Sequence, residues 1–368
     1  MASPHIPAKM QAAQLVEYNK PYAINSIKVP ANLAPHDLLI RVAVASLCHT
    51  DSMAQQGIMG TPLPCIASHE GAGTVVSVGP SVTEFSTGDR VMAGLVYHTC
   101  GTCPECLGPE NYTQYCQRMG GFNGINVDGF FAEYARIDAR WAAKLPDNVT
   151  FATAAPLACA GITIYRGVTL SEVKKGEWLA IVGSGGGLGH LGVQFAKALG
   201  MNVVGIDARD QGLELTQHSN ADLVVDARTG LEQVVKQVHA VTNGQGVKTT
   251  LNVSDADSAA ALSCAITRMH GTLVQIAQPA SVNIPFRELI FRDIRVRGSV
   301  ISSANEARDM LKLVAEHGVS VHTNAFNGLG EIEKLIQLAE SGKMKGKGII
   351  VMDKVAIEKE RQGTGNLV

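Results

Sequence analysis

The chain has 368 residues, 31 Lys and Arg against 33 Asp and Glu for a net charge of −2, and 46% hydrophobic residues. At about 150 residues per domain this length predicts two or three domains, and the apolar content excludes a disordered chain. The near-neutral balance removes the electrostatic ground for a nucleic-acid or acidic-membrane partner.

The 38 glycines and 5% aromatics predict an α/β protein with many tight turns. Residues 1–20 hold neither an Arg-rich amphipathic stretch nor a long apolar core, so no signal or transit peptide is expected and the protein reads as cytoplasmic. Trp178 to Ala196 lacks charged residues, but six glycines interrupt it, and it reads as a buried strand, turn and helix rather than a membrane span.

Leu38 to Leu47 is an apolar, strand-like segment that runs into Cys48-His49-Thr50-Asp51. His69 and Glu70 precede Gly71-Ala72-Gly73, where a chain turns tightly beside bulky groups. Cys100, Cys103 and Cys106 form two overlapping C-x-x-C units, with Cys116 ten residues later. Four thiolates so spaced can close a tetrahedral shell, which is the pattern of a structural zinc site. A redox dithiol or chance clustering is the plainer alternative, although three thiols at three-residue intervals would be a liability without a metal. Cys159 ends the small-residue run Ala154 to Gly161. With Cys48 and His69 it would supply the two thiolates and one imidazole of a catalytic zinc site with an open fourth position. Taken singly, each of the three is more often a buried structural residue.

Trp178 to Gly183 reads as a buried strand, followed by a glycine turn, Ser184 to Gly189, and a helix from Leu191 to Leu199. A strand, glycine turn and helix N-terminus bring backbone N–H groups and the helix dipole to a pyrophosphate. Gly183, Gly185, Gly186, Gly187 and Gly189, with Leu188 among them, permit more than one G-x-G-x-x-G register. The next strand, Asn202 to Ile206, ends in Asp207, eighteen residues after Gly189, where an acid accepts the ribose hydroxyls of NAD and repels a 2′-phosphate. Strands over 223–226, 249–253, 271–276 and 294–298 alternate with helical patterns and predict a doubly wound parallel sheet. The expected domains are 159–299, of dinucleotide-binding Rossmann type, and a β-rich metal-binding domain over 1–158, completed by 300–368. The charge-rich end, Lys354 to Arg361, is expected to be a solvated terminus.

Taken in order, these motifs resemble the zinc-containing medium-chain alcohol dehydrogenases, and the yeast-type branch most closely, over about Met10 to Asp353. The resemblance implies a GroES-like catalytic domain beside the Rossmann domain, two Zn2+ per chain, NAD, and a homo-oligomer, tetramer or dimer. It implies a catalytic zinc on Cys48, His69 and Cys159, and a structural zinc on Cys100, Cys103, Cys106 and Cys116. Glu70 would lie behind the catalytic ion or join it transiently, Asp51 would orient His69, and Thr50 would accept the substrate hydroxyl proton. His49 and Lys347 would approach the cofactor pyrophosphate and Thr163 the nicotinamide or its ribose.

Three departures from the yeast-type pattern carry information. Met53 stands where those enzymes end their proton relay in a histidine. Gln55-Gln56-Gly57 and Leu95 replace the tryptophans that narrow an ethanol pocket, so a bulkier alcohol, aldehyde or ketone is expected. The loop between Cys106 and Cys116 is longer, which is entropically cheap and should leave metal binding intact. The rival readings are a polyol or specialised-metabolite carbonyl reductase using NADP(H), a metal-free quinone or enoyl reductase on the same fold, and a non-catalytic NAD(H)-responsive zinc protein; Arg209, two residues after Asp207, partly offsets discrimination against NADP, but Asp207 keeps NAD the expected cofactor.

Overall fold

A computed structural model describes residues 5–108 and 112–363. It divides into two compact units, Met1–Cys159 with Ser303–Ala315 and Thr323–Val368, and Ala160–Ser302 with Glu316–His322. The short return of Glu316–His322 to the second unit has a local cause. Ser320 exchanges hydrogen bonds of 2.9 and 3.0 Å with the Gln194 side chain, and the His322 N–H donates to His190.

The first unit is built on a seven-stranded sheet. Its order is Ala143–Lys144, Arg90–Met92, Glu70–Val78, Asp37–Leu47, Lys347–Val351 and Thr323–Asn327, with Tyr134–Asp138 also paired to Asp37–Leu47. Asp37–Leu47 buries every residue but Arg41, as a strand covered on both faces must. Its register decides where the chemistry falls. Ser46 pairs with Glu70 on one side and Leu47 with Gly348 on the other. Cys48, His69 and Lys347 therefore stand one residue beyond, or at, the ends of three adjacent strands. A slip by one residue would turn every side chain to the opposite face.

Phe151–Leu170 is a continuous 20-residue helix, long and apolar enough to cross a membrane, with 78% of its apolar window buried inside the protein. Such burial is what a core helix shows. Pro156 lacks the N–H that would bond one turn back, and the next five residues, Leu157–Gly161, are π-helical. Cys159 sits in that widened turn.

The second unit is a six-stranded parallel sheet ordered Leu223–Asp226, Asn202–Asp207, Trp178–Val182, Val247–Asn252, Thr267–Gln275 and Arg295–Gly298. In chain order that is 3-2-1-4-5-6, the doubly wound arrangement whose strand order reverses beside the first strand.

The charge-rich C-terminus departs from expectation: it is helical over Lys354–Gly363, not a loose solvated tail. Asp353 caps this helix, its Oδ1 accepting the N–H groups of Val355 and Ala356 at 3.1 Å each. Ala356, Ile357 and Glu360, spaced for one helix face, are half-buried while their neighbours are exposed. The excess of charge in the segment hid that stripe.

Candidate metal centre and nucleotide turn

Cys48, His69, Glu70 and Cys159 each offer a donor atom within 4.8 Å of the others. Asp51, fully buried in the helix His49–Gln55, ties two of them together: Oδ2 accepts the Cys48 N–H at 2.8 Å and Oδ1 lies 3.0 Å from His69 Nδ1. That bond fixes the ring and leaves Nε2 as its donor atom. His69 Nε2 is buried and has no hydrogen-bond partner, a costly state unless a cation completes it. Two sulfurs and an orphaned imidazole nitrogen fit a borderline-soft ion such as Zn2+.

A hydrogen bond with Cys159 holds Cys48 well below the usual thiol range, and the same bond holds Cys159 well above it. Burial disfavours a charged His69, yet Asp51 and Cys48 hold its pKa well above the usual imidazole value. Burial pushes Glu70 up to about 7 against the opposing pull of Lys347. Lys347, for which a pyrophosphate contact is implied by resemblance, is 4% exposed; its ammonium donates to the Leu47 carbonyl at 2.7 Å and to Glu70 Oε1 at 2.9 Å. Burial works against the charge on Lys347, but Glu70 raises its pKa above the ordinary lysine value. His49 is exposed at the start of its helix, and the Thr50 hydroxyl lies 4.0 Å from the Cys48 sulfur.

The second cluster joins Cys100, Cys103, Cys106 and Cys116. A tetrahedral ion with bonds of about 2.3 Å sets sulfurs about 3.8 Å apart. Here Cys103 lies 3.5 Å from Cys106 and 3.8 Å from Cys116, and Cys100 lies 4.0 Å from Cys106. No disulfide links them. Backbone donors support the sulfurs: Thr102 N–H reaches Cys100 at 3.4 Å and Cys100 N–H reaches Cys116 at 3.3 Å. The Thr102 donors bring Cys100 down to about 5, whereas desolvation and the neighbouring sulfurs push Cys106 up to about 12. The donor chemistry and the spacing both fit a closed zinc shell.

In the second unit, the turn after Trp178–Val182 resolves the glycine register. Gly183 has φ +87°, open to glycine at little cost, and a Cβ on Gly185 would lie 1.9 Å from the Gly212 carbonyl oxygen. The helix then starts at Gly189, with Gly186, Gly187 and Leu188 completing the turn. Asp207 ends the neighbouring strand, and its Oδ2 accepts the Gly185 N–H at 3.0 Å, so acid and turn form one unit. Its Oδ1 accepts the N–H groups of Ala208 and Arg209, and Arg209 Nε lies 3.4 Å away. Thr163 is 8% exposed in the helix Ile162–Leu170 of the same unit.

Comparison with known proteins gives this geometry a context. Residues 34–147 match the alcohol dehydrogenase GroES-like domain, and residues 187–316 match the zinc-binding dehydrogenase family. An alcohol dehydrogenase of Geobacillus stearothermophilus is 34% identical over 94% of this chain and all of its own length. The chain belongs to the zinc-containing medium-chain alcohol dehydrogenase family. An alcohol dehydrogenase of Schizosaccharomyces pombe is 33% identical over 95% of this chain and 99% of its own. The crystal structure of the alcohol dehydrogenase from Aeropyrum pernix superposes with a TM-score of 0.83 at 30% identity, covering 93% of this chain and 99% of that one. This medium-chain dehydrogenase is thus an alcohol or carbonyl oxidoreductase with a GroES-like and a Rossmann unit.

Sequence reasoning passed over several partners that the dehydrogenase fold assembles. His98, given no role, has its Nε2 2.7 Å from the buried Asp37, which also receives the Tyr97 hydroxyl at 3.2 Å. Arg90 and Glu360 pair beside the start of the helix that carries Cys159. No local motif marks either group, because each joins residues 60 or more positions apart.

Proposed function

We propose that the chain is a zinc-dependent, NAD-preferring dehydrogenase of alcohols bulkier than ethanol, or of the corresponding aldehydes and ketones, acting with two zinc ions per chain. The observation that carries the proposal is the convergence of Cys48, Cys159 and the orphaned His69 Nε2, drawn from three separate stretches. Zinc bound there would stabilise an alcohol oxygen as it becomes alkoxide-like, and NAD held by the second unit would accept the hydride.

The chain's own residues do the rest. Asp51 holds His69 in one tautomer and strengthens it as a donor. Thr50, adjacent in sequence to His49 and two residues from Cys48, would accept the substrate hydroxyl proton at Oγ1 while passing its own hydroxyl proton on to the cofactor ribose and water. Glu70, with Lys347 as its buried counter-ion, supplies negative charge behind the donors. The Gly183–Leu188 turn and the helix from Gly189 receive the pyrophosphate, Asp207 the ribose hydroxyls, and Thr163 the nicotinamide side. His49 serves the pyrophosphate. Cys100, Cys103, Cys106 and Cys116 hold the structural ion. Placement in the yeast-type branch rests on the motif resemblance alone. Exposed Phe286, Ile290 and Phe291, beside the fully exposed edge strand Arg295–Gly298, support a homo-oligomer.

The test is metal analysis together with an alcohol and carbonyl panel assayed with NAD(H) and NADP(H). We expect two zinc ions per chain and a kcat/KM that rises from ethanol to branched, cyclic or aromatic substrates. A fully active metal-free preparation would overturn the reading. A preference for NADP(H) would favour the carbonyl-reductase alternative, which the Arg209 contact to Asp207 supports. Because the Met53 thioether cannot carry a proton at neutral pH, turnover at fixed pH should rise with added imidazole; a flat response would mean that another group ends the relay.

A further inference from the structure

Cys159 lies eight residues after Phe151, the first residue of its helix. A helix leaves its first N–H groups without acceptors in the ladder, and that end frays unless they are satisfied from outside. Thr150 Oγ1 accepts the Thr153 N–H at 3.2 Å. The Phe151 N–H donates to both carboxylate oxygens of Glu360, each at 3.1 Å. Glu360 belongs to the C-terminal helix Lys354–Gly363, 209 residues away in sequence. Its side chain is only 7% exposed and is paired with the Arg90 guanidinium. Arg90 also donates to the Val149 carbonyl, and its guanidinium lies 4.9 Å over the Phe151 ring. A partly buried charge pair, a carboxylate at the positive end of the helix dipole and a cation–π contact thus converge on one residue. The segment they hold departs from the regular ladder, since Pro156 removes one bond and Leu157–Gly161 is π-helical.

We propose that the C-terminal helix is a latch, with Glu360 as a positioning residue that keeps Cys159 in reach of Cys48 and His69. The proposal rests on the reading that Cys48, His69 and Cys159 hold a metal ion. Removing the Glu360 carboxylate strands the Phe151 N–H and leaves Arg90 without its counter-charge, so the helix end loosens and Cys159 follows it. The lobe cysteines, on another stretch of chain, do not feel the change.

The experiment compares the zinc-loaded full chain with Glu360→Ala, Glu360→Gln and a chain ending at Asp353. Zinc release into a chromogenic chelator is followed together with hydrogen exchange of the segment 151–161. Cys159→Ser and Cys103→Ser assign the two release phases. We expect Glu360→Ala and the shortened chain to speed the Cys159 phase about tenfold with the lobe phase unchanged, in line with losses at metal-supporting residues. Glu360→Gln, which keeps an acceptor but loses the charge, should speed it about threefold. Exchange over 151–161 should quicken in the same order. Unchanged release, or equal acceleration of both phases, would overturn the latch and leave the metal reading standing. A wild-type chain that releases only the lobe zinc would overturn both.

Discussion

The two cysteine-bearing clusters use similar donors but are assembled in different ways. Cys100, Cys103, Cys106 and Cys116 come from one stretch of seventeen residues, their sulfurs 3.5 to 4.0 Å apart and supported by N–H groups of the same loop. Cys48, His69 and Cys159 come from a stretch of 112 residues; the register of the strand Asp37–Leu47 brings Cys48 beside His69, and a helix brings Cys159 to them. The local cluster is a staple whose ion would stabilise the loop that forms it. The distributed cluster, with Glu70 as a fourth candidate donor, draws on distant segments of the first unit, and an ion held by Cys48, His69 and Cys159 alone would keep a position for chemistry rather than for folding.

Substitutions should separate the two roles. Cys48→Ser is expected to lower kcat/KM by about three orders of magnitude or more, since the ion's stabilisation of developing charge is lost. Cys103→Ser should instead lower stability by about 3 kcal/mol, roughly 10 °C in Tm, with activity per folded molecule little changed. Thermal scans and kinetics on both variants check this, and equal patterns would erase the distinction. Asp207→Ser should swing the kcat/KM ratio of NAD to NADP by on the order of a hundredfold, a change confined to the second unit and silent in zinc content.

Asp51→Asn sharpens the comparison from the side of the donors. Asn leaves the Cys48 N–H facing an amide group in place of a carboxylate oxygen and weakens the hold on His69. Zinc at the distributed site should exchange about 10- to 100-fold faster, and zinc in the lobe should not. Dialysis against a chelator reads both.

The smallest effect lies in the second unit. Lys248, 2.8 Å from the Glu177 carboxylate, and the Lys174 N–H hold Glu177 below the usual carboxylate range. A lowered folded-state pKa means that the stabilisation is present above the unfolded value of about 4.3 and is lost as pH falls through the folded one. With a third of the side chain exposed, screening leaves no more than about 0.5 kcal/mol. Glu177→Gln should therefore cost that much at pH 7 and progressively less as pH falls through the folded-state value, measured by denaturant unfolding.

Much of this was legible in the residues. The C-x-x-C pair announced the lobe because all its donors fall within one loop. The glycine turn, its strand and Asp207 announced the nucleotide unit because βα units repeat a local pattern. Cys48, His69 and Cys159 were found as motifs, but nothing in their spacing showed that they meet. Glu360 was hidden, since a glutamate among charges looks solvated until Arg90 and Phe151 are beside it.

Local spacing alone determined the four-thiol lobe, the alternation of strands and helices and the acid at the second strand's end, because those features depend on neighbours a few residues apart. Tertiary structure decided the convergence of Cys48, His69 and Cys159, the burial of Lys347 against Glu70 and the docking of the C-terminal helix on the Cys159 helix. Each of these depends on strand register and on charges that become strong only once distant segments have excluded water from between them.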